Sequence, residues 1–176
     1  LSFGFESIVK EAMKEINKTW ADPDDYIEVI RKVNRAGIEV ASEMIIGIDT
    51  DTRQSLDATI EFVKKSNIIA PKFYCYTPIP GTVLNKEMEE QGRISDHNIL
   101  EYRPSKSVLN TPHFTAEEVT FEYWRVYEEL YSMKNILKRT VFNKRMIKHP
   151  FRTLFFFGIN MVYRDNIKRR VAPNIF

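Results

Sequence analysis

The chain has 176 residues, enough for one domain with a sizeable core or for part of a barrel with an appendage. Hydrophobic residues make up 43% and charged residues 28%, the balance of a soluble globular protein, which excludes a disordered chain. The net charge of +2 conceals a split: from Lys134 onward eleven Lys and Arg face the single acid Asp165, whereas the first 133 residues carry fifteen basic and twenty-three acidic side chains.

Residues 1–5 form an apolar run closed by Glu6, and Ile8, Ala12, Met13 and Ile16 then recur at helical spacing, so a strand is expected to feed a helix. Asp22-Pro23 supplies an N-cap and a first-turn proline for a second helix. Its apolar stripe is Tyr26, Ile30 and Val33, and Gly37 suits the left-handed position at its end. Residues 38–46 read as a strand closed by Gly47. Asp51 with Gln54 resembles a capping box for a helix bearing Leu56, Ile60 and Val63. Residues 72–76 read as another strand, with aromatics in place of β-branched residues. Strand, helix, helix, strand, helix, strand, with connections long enough for crossovers, predicts a parallel α/β sheet or barrel.

Pro78-Ile79-Pro80-Gly81-Thr82 is a rigid turn, and Val83, Leu84 and Met88 predict a short helix stopped by Gly92. Periodicity disappears over 93–114, the signature of a linker wrapping the domain. Thr115 and Glu118 form a second capping box, after which Val119, Tyr123, Val126, Leu130, Met133, Leu137 and Val141 step by three or four. One long helix is expected up to Pro150, with a break near Asn143. The resulting division is barrel strands over 1–92, a linker over 93–115 and a basic helical extension over 116–176.

Cys75 is the single cysteine, so disulfides and a cluster ligated by this chain alone are excluded, and a reducing, cytosolic compartment is expected. The opening, 1–7, has neither an initiator Met nor the features of a signal peptide and reads as the middle of a gene. The most apolar stretch, 151–163, contains Arg152 and Asn160 and falls short of the roughly 20 apolar residues that a membrane span needs.

In parallel α/β barrels ligands sit at the carboxyl ends of the strands, where loops and helix N-termini offer donors. Three strand ends converge here: Gly4-Phe5-Glu6-Ser7, Glu43-Met44-Ile45-Ile46-Gly47 and Tyr74-Cys75-Tyr76-Thr77-Pro78. The carboxylates of Glu6 and Glu43 suit ribose hydroxyls or a substrate ammonium, and Gly47 would let an adenine approach the backbone. Glu6, Glu43 and Thr77 are therefore expected to meet around a nucleoside-sized hollow at one rim.

The runs Ser2-Phe3-Gly4-Phe5-Glu6-Ser7, Glu43-Met44-Ile45-Ile46-Gly47-Ile48-Asp49-Thr50-Asp51-Thr52 and Thr77-Pro78-Ile79-Pro80-Gly81-Thr82, with Lys18 between the first two, resemble the second half of a radical S-adenosylmethionine enzyme. The likeness is to the cobalamin-binding branch and covers residues 1 to about 140, with three motifs in register. It implies a six-stranded partial barrel of which this chain supplies the fourth, fifth and sixth strands. In that family a CxxxCxxC loop after the first strand holds a [4Fe-4S] cluster, and cobalamin lies in a further N-terminal domain; both would belong to polypeptide outside this chain, which alone would be inactive. Carried over by motif, Glu6 and Lys18 would contact the ribose and carboxylate region of S-adenosylmethionine, and Glu43 its ribose or amino group. Ile45, Ile46 and Gly47 would meet the adenine, and Tyr76 and Thr77 would face cofactor or substrate. The implied activity forms a 5′-deoxyadenosyl radical and methylates or otherwise functionalises an unactivated carbon of an apolar or lipid-like substrate.

Plainer roles compete for some of these residues. Glu6 precedes a helix, whose dipole alone favours a carboxylate. Asp49, Thr50, Asp51 and Thr52 read as capping and turn residues, Cys75 as a small buried hydrophobe, and His97, His113 and His149 are too dispersed to ligate a metal. The tail, with Phe151, Leu154, Phe155, Phe156 and Tyr163 beside Arg152, Arg164, Lys168, Arg169 and Arg170, suits an anionic membrane surface or packing on the N-terminal part of the polypeptide. Nucleic acid fits less well, because bulky aliphatics interrupt the basic residues. The alternative to an enzyme is a non-catalytic α/β module whose basic tail recruits a membrane or nucleic acid.

Overall fold

The computed structural model describes residues 1–173. Strands β1 (Ser2–Glu6), β2 (Ala41–Ile46) and β3 (Ala70–Cys75) form one parallel sheet in that order. Helices α1 (Lys10–Glu15) and α2 (Tyr26–Arg35) connect β1 to β2, and α3 (Arg53–Ser66) connects β2 to β3. Then follow α4 (Val83–Glu90), α5 (Ala116–Leu130), α6 (Met133–Arg139) and α7 (Pro150–Lys168). The architecture is α/β and agrees with part of a parallel barrel.

Period-two alternation decides the faces of the sheet. Ser42, Met44 and Ile46 are buried, whereas Ala41, Glu43 and Ile45 are partly exposed. The register carries this across: Met44 lies opposite Phe73 and Ile46 opposite Cys75. Their face meets Leu56, Ile60 and Val63 of α3 and Val119, Tyr123 and Tyr127 of α5 in one core, with the Phe5 ring tilted against Tyr26, centroids 4.7 Å apart.

Several boundaries differ from expectation: β2 begins at Ala41 rather than at 38, β3 runs over Ala70–Cys75 rather than 72–76, and three helix boundaries move. The N-cap of α3 is Thr52, not Asp51: its hydroxyl accepts from the Ser55 amide at 3.2 Å and the Ser55 hydroxyl accepts from the Thr52 amide at 2.9 Å. Asp51 is drawn inward instead. The helix starting at Thr115 breaks at Tyr131–Ser132 as well as in the turn around Asn143, because Tyr131 is pinned by its hydroxyl to the Pro71 carbonyl at 2.9 Å and Ser132 caps a new helix that ends at Arg139. Pro150 opens α7 rather than closing a helix, as its missing N–H allows at the first position.

The aperiodic segment folds back on itself: Asn110 N donates to Arg93 O at 2.9 Å and Ser95 N to Val108 O at 2.8 Å, burying Val108 and Leu109. It also contributes to closing the outer edge of β3, where the Cys75 amide donates to Pro104 O at 2.7 Å. Side chains close the rest. Asn160 donates to Ile69 O at 3.1 Å and Tyr131 to Pro71 O; the Tyr127 hydroxyl accepts from Phe73 N at 2.8 Å and donates to Phe73 O at 3.2 Å. An edge that would otherwise offer unpaired backbone groups is thereby satisfied.

Much of the basic tail is tied to the body. Buried Glu39 accepts from Arg145 at 2.6 Å and from Arg152 at 2.7 Å, and Arg152 also donates to Gly37 O at 2.6 Å. Arg170 pairs with Glu128 at 2.8 Å and lies over the Trp124 ring. Helix α7 buries Asn160, Tyr163 and Ile167, while Phe151, Leu154, Phe155 and Val162 on the opposite side are exposed, Phe151 by 89%. Among the described residues no helix is long and apolar enough to cross a membrane.

Candidate functional site

The face of the sheet turned away from α3 and α5 carries Ser2, Gly4, Glu43, Ile45, Lys72 and Tyr74. Polar groups on a sheet face next to a packed core must find partners, and here they find each other. Glu43 Oε1 accepts from Lys72 Nζ at 2.7 Å and from the Ser2 hydroxyl at 2.9 Å. The Lys72 hydrogen bond, helped by Ser2, holds the Glu43 carboxyl below its usual range against burial. Burial works to lower the Lys72 ammonium, but its bond to Glu43 together with the charges of Glu43, Tyr74 and Tyr163 outweighs this and its pKa is raised.

A second ion pair sits beside the first. The register shifts between Gly4 and Glu6, and Glu6 takes the left-handed conformation at φ +59, which turns its side chain back over Gly4. A Cβ added to Gly4 would stand 2.6 Å from Glu6 Oε1 and 3.3 Å from Lys18 Nζ, so glycine is what lets the carboxylate lie there. Lys18 reaches this place because α1 ends with Asn17 at φ +55: the Asn17 amide donates to Lys14 O at 3.1 Å and the Lys18 amide to Met13 O at 2.8 Å. Its Nζ then bridges Glu6 Oε1 at 2.7 Å and Gly4 O at 2.6 Å.

Glu6, Lys18, Glu43 and Ile45 therefore share one face, with Gly4 directly opposite Glu43 in the register. Glu43 is set three residues before the end of β2, roughly 10 Å below the rim. Thr77 stays at the rim and donates its hydroxyl to Cys75 O at 2.9 Å. Ile46 points to the core side, and the close neighbour at Gly47 is Val119 of α5: a Cβ on Gly47, whose φ is +94, would meet Val119 Cγ1 at 2.8 Å. Cys75 also faces the core, where burial pushes its thiol up to about 12, so it behaves as a small hydrophobe. Among the described residues no group of three His, Cys, Asp or Glu could hold a metal ion.

The rim holds a cluster that the sequence reading passed over. Asp51 is buried; its Oδ2 accepts from the Gly47 amide at 2.8 Å and the Ile48 amide at 3.2 Å and so shapes the turn after β2. Burial raises its carboxyl to about 6 despite those two bonds. Asp49 is clasped by both guanidinium nitrogens of Arg93, and its amide donates to Glu15 at 3.1 Å. Burial, then the carboxylates of Glu15 and Asp49, raise the Tyr76 phenol. The signal was available in the run Asp49-Thr50-Asp51-Thr52, but it reads equally well as helix capping, and Arg93 is 44 residues away from its partner.

Along this face Glu6 is paired with Lys18 and Glu43 with Lys72, groups that can exchange hydrogen bonds with the hydroxyl, amino and carboxylate groups of a ligand.

Several proteins similar to this chain are named methyltransferases. The chain is 30% identical over 173 residues, 98% of its length, to the bacteriochlorophyllide d C-8(2)-methyltransferase of Chlorobaculum tepidum, covering 36% of that protein. It is 25% identical over 176 residues to the bacteriochlorophyllide d C-12(1)-methyltransferase of the same organism, its whole length against 36% of the relative. Against the hopanoid C-2 methylase of Rhodopseudomonas palustris it is 27% identical over 137 residues, 77% of the chain and 25% of that protein. The chain thus matches between a quarter and about a third of the length of such relatives. No protein-family model matches it.

Proposed function

We propose that this chain is the last part of the catalytic barrel of a radical S-adenosylmethionine enzyme, of the cobalamin-dependent kind, that methylates an unactivated carbon of an apolar substrate. The observation that carries the reading is the paired arrangement on the open sheet face, Glu6–Lys18 beside Glu43–Lys72, in a chain whose motifs occur in that family's order. The relatives' names support methylation at carbon, and the molecules they are named for, a bacteriochlorophyllide and a hopanoid, support an apolar substrate. The closed outer edge of β3 supports the placing of β3 as the last strand, with the earlier strands of the barrel added beside β1.

In this reading S-adenosylmethionine would supply radical chemistry at carbon and cobalamin the methyl route, and the iron–sulfur cluster and the cobalt would be held by polypeptide outside this chain. The chain's own residues bind and orient. Lys18, already positioned by Glu6 and Gly4 O, offers an ammonium to a carboxylate, and Glu43 offers acceptor oxygens to ribose hydroxyls or an amino group. Ile45, beside Glu43 on the face, offers an apolar wall to the adenine, while Gly47, Tyr76 and Thr77 bound the rim. Core-facing Ile46 acts through the position of its backbone.

Equilibrium binding of S-adenosylmethionine to the full-length protein tests this: Lys18→Ala and Glu43→Ala weaken it, and unchanged affinity in both removes the face from the cofactor site.

The exposed apolar stripe of α7 supports peripheral contact of the enzyme with an anionic lipid surface, next to which an apolar substrate would be met. Nucleic acid is disfavoured, since Arg145, Arg152 and Arg170 are spent on internal carboxylates.

A further inference from the structure

Between α3, α6 and the turn at 142–145 lies a hollow of about 380 Å³, remote in sequence from every motif discussed above. Five cations line it: Lys64, Lys138, Arg139, Lys144 and Arg145. The other walls are amide and apolar side chains, so no carboxylate faces the hollow. Two of the cations have carboxylate partners behind the wall, Lys64 with Glu61 and Glu129 at 3.0 and 2.8 Å, and Arg145 with Glu39.

Arg139 is different. Its Nε donates to the Asn160 amide oxygen at 2.8 Å and its guanidinium lies 4.4 Å from the centre of the Tyr131 ring, both neutral groups. Among the described residues it forms no ion pair. Its Nη2 is closed off from solvent and has no hydrogen-bond partner, and the same is true of Arg145 Nη1. Burial lowers the Arg139 pKa to about 10, which leaves it charged at neutral pH. A buried, charged donor without an anion is one of the costliest defects a fold can carry, and Arg139 borders a cavity with three lysines and with Arg145, whose Nη2 is already held by Glu39.

We propose that this hollow is a binding site for a phosphate group, borne either by a soluble phosphate ester or by a lipid headgroup. Phosphate suits it better than a carboxylate: it offers oxygens in several directions to the Arg139 guanidinium and the ammonium groups around it, and a planar guanidinium edge holds phosphate oxygens in pairs. The volume exceeds that of phosphate itself and lies in the range of small-molecule sites, leaving room for the group that carries it. Phe142, 67% exposed at the lip, gives that group an apolar contact.

Titration of the full-length protein with inorganic phosphate at constant ionic strength, with chloride as the control, tests the site through phosphorus NMR line width and melting temperature. A saturable response that chloride does not produce is expected, with the dissociation constant raised about tenfold by Arg139→Gln. Lys144→Gln, at an exposed position, keeps the fold intact and also weakens binding. Vesicles containing phosphatidic acid, compared with phosphatidylcholine alone, separate the two sources: capture abolished by Lys144→Gln and Arg139→Gln assigns a lipid headgroup. Phosphate binding without such capture assigns a soluble ester. A response to phosphate no greater than to chloride, or one that Lys144→Gln leaves at the wild-type value, overturns the proposal.

Discussion

Glu43 and Lys72 face each other across β2 and β3, Oε1 to Nζ 2.7 Å, and the lysine is the more deeply buried of the two, 9% exposed in its side chain against 38% for the glutamate. Removing the glutamate strands a buried ammonium, and removing both charges does not. Glu43→Ala is therefore expected to destabilise the protein by about 1–2 kcal/mol, between the worth of an exposed and a fully buried pair. The double variant Glu43→Ala, Lys72→Met recovers stability in denaturant unfolding. If the face binds S-adenosylmethionine, affinity stays weak in both variants; recovery of binding along with stability would assign Glu43 a purely structural role.

Asp51 makes stability depend on pH in the direction opposite to an ordinary surface carboxylate. Its pKa is raised from 3.8 to about 6 in the fold, so the protonated form favours folding. That contribution is complete below pH 3.8 and is lost as pH rises through 6. Asp51→Asn, which retains an acceptor for the Gly47 and Ile48 amides, flattens the melting-temperature profile across this window. Asp51→Ala loses the acceptor and costs about 1–3 kcal/mol at every pH.

Tyr127 does with one hydroxyl what a neighbouring strand would do with a peptide group, serving both Phe73 N and Phe73 O. Tyr127→Phe leaves the packing in place and both backbone groups unsatisfied, for an expected loss of about 1–3 kcal/mol. Amide hydrogen exchange at Phe73 should quicken. Equal protection in the variant would mean that another group holds this edge.

The stripe on α7 predicts lipid binding that is separable from catalysis. Phe151→Ser with Phe155→Ser removes two exposed rings and lowers the partition of the full-length protein onto anionic vesicles by at least about tenfold. S-adenosylmethionine affinity is unchanged, because α7 reaches the sheet through Asn160, Tyr163 and Ile167 on its other side. Equal co-sedimentation of variant and wild type would release the stripe for contact with the rest of the polypeptide.

Local patterns in the sequence determined the order of strands and helices, the caps at Thr115 and Asp22 and the left-handed glycine at Gly37, because periods of two and 3.6 and capping chemistry act within a few residues. Even there, Thr52 and Asp51 were exchanged in role, since both residue types can cap and only the turn geometry chooses. The tertiary structure alone decided what lies across the chain: Lys72 as the partner of Glu43, Tyr127 and Tyr131 as the substitute for a strand, and Glu39 as the anchor of Arg145, 106 residues further on. A charge carries no record of its partner in its neighbours along the sequence. Packing brings the two together, and the cost of burying either one alone then holds them there.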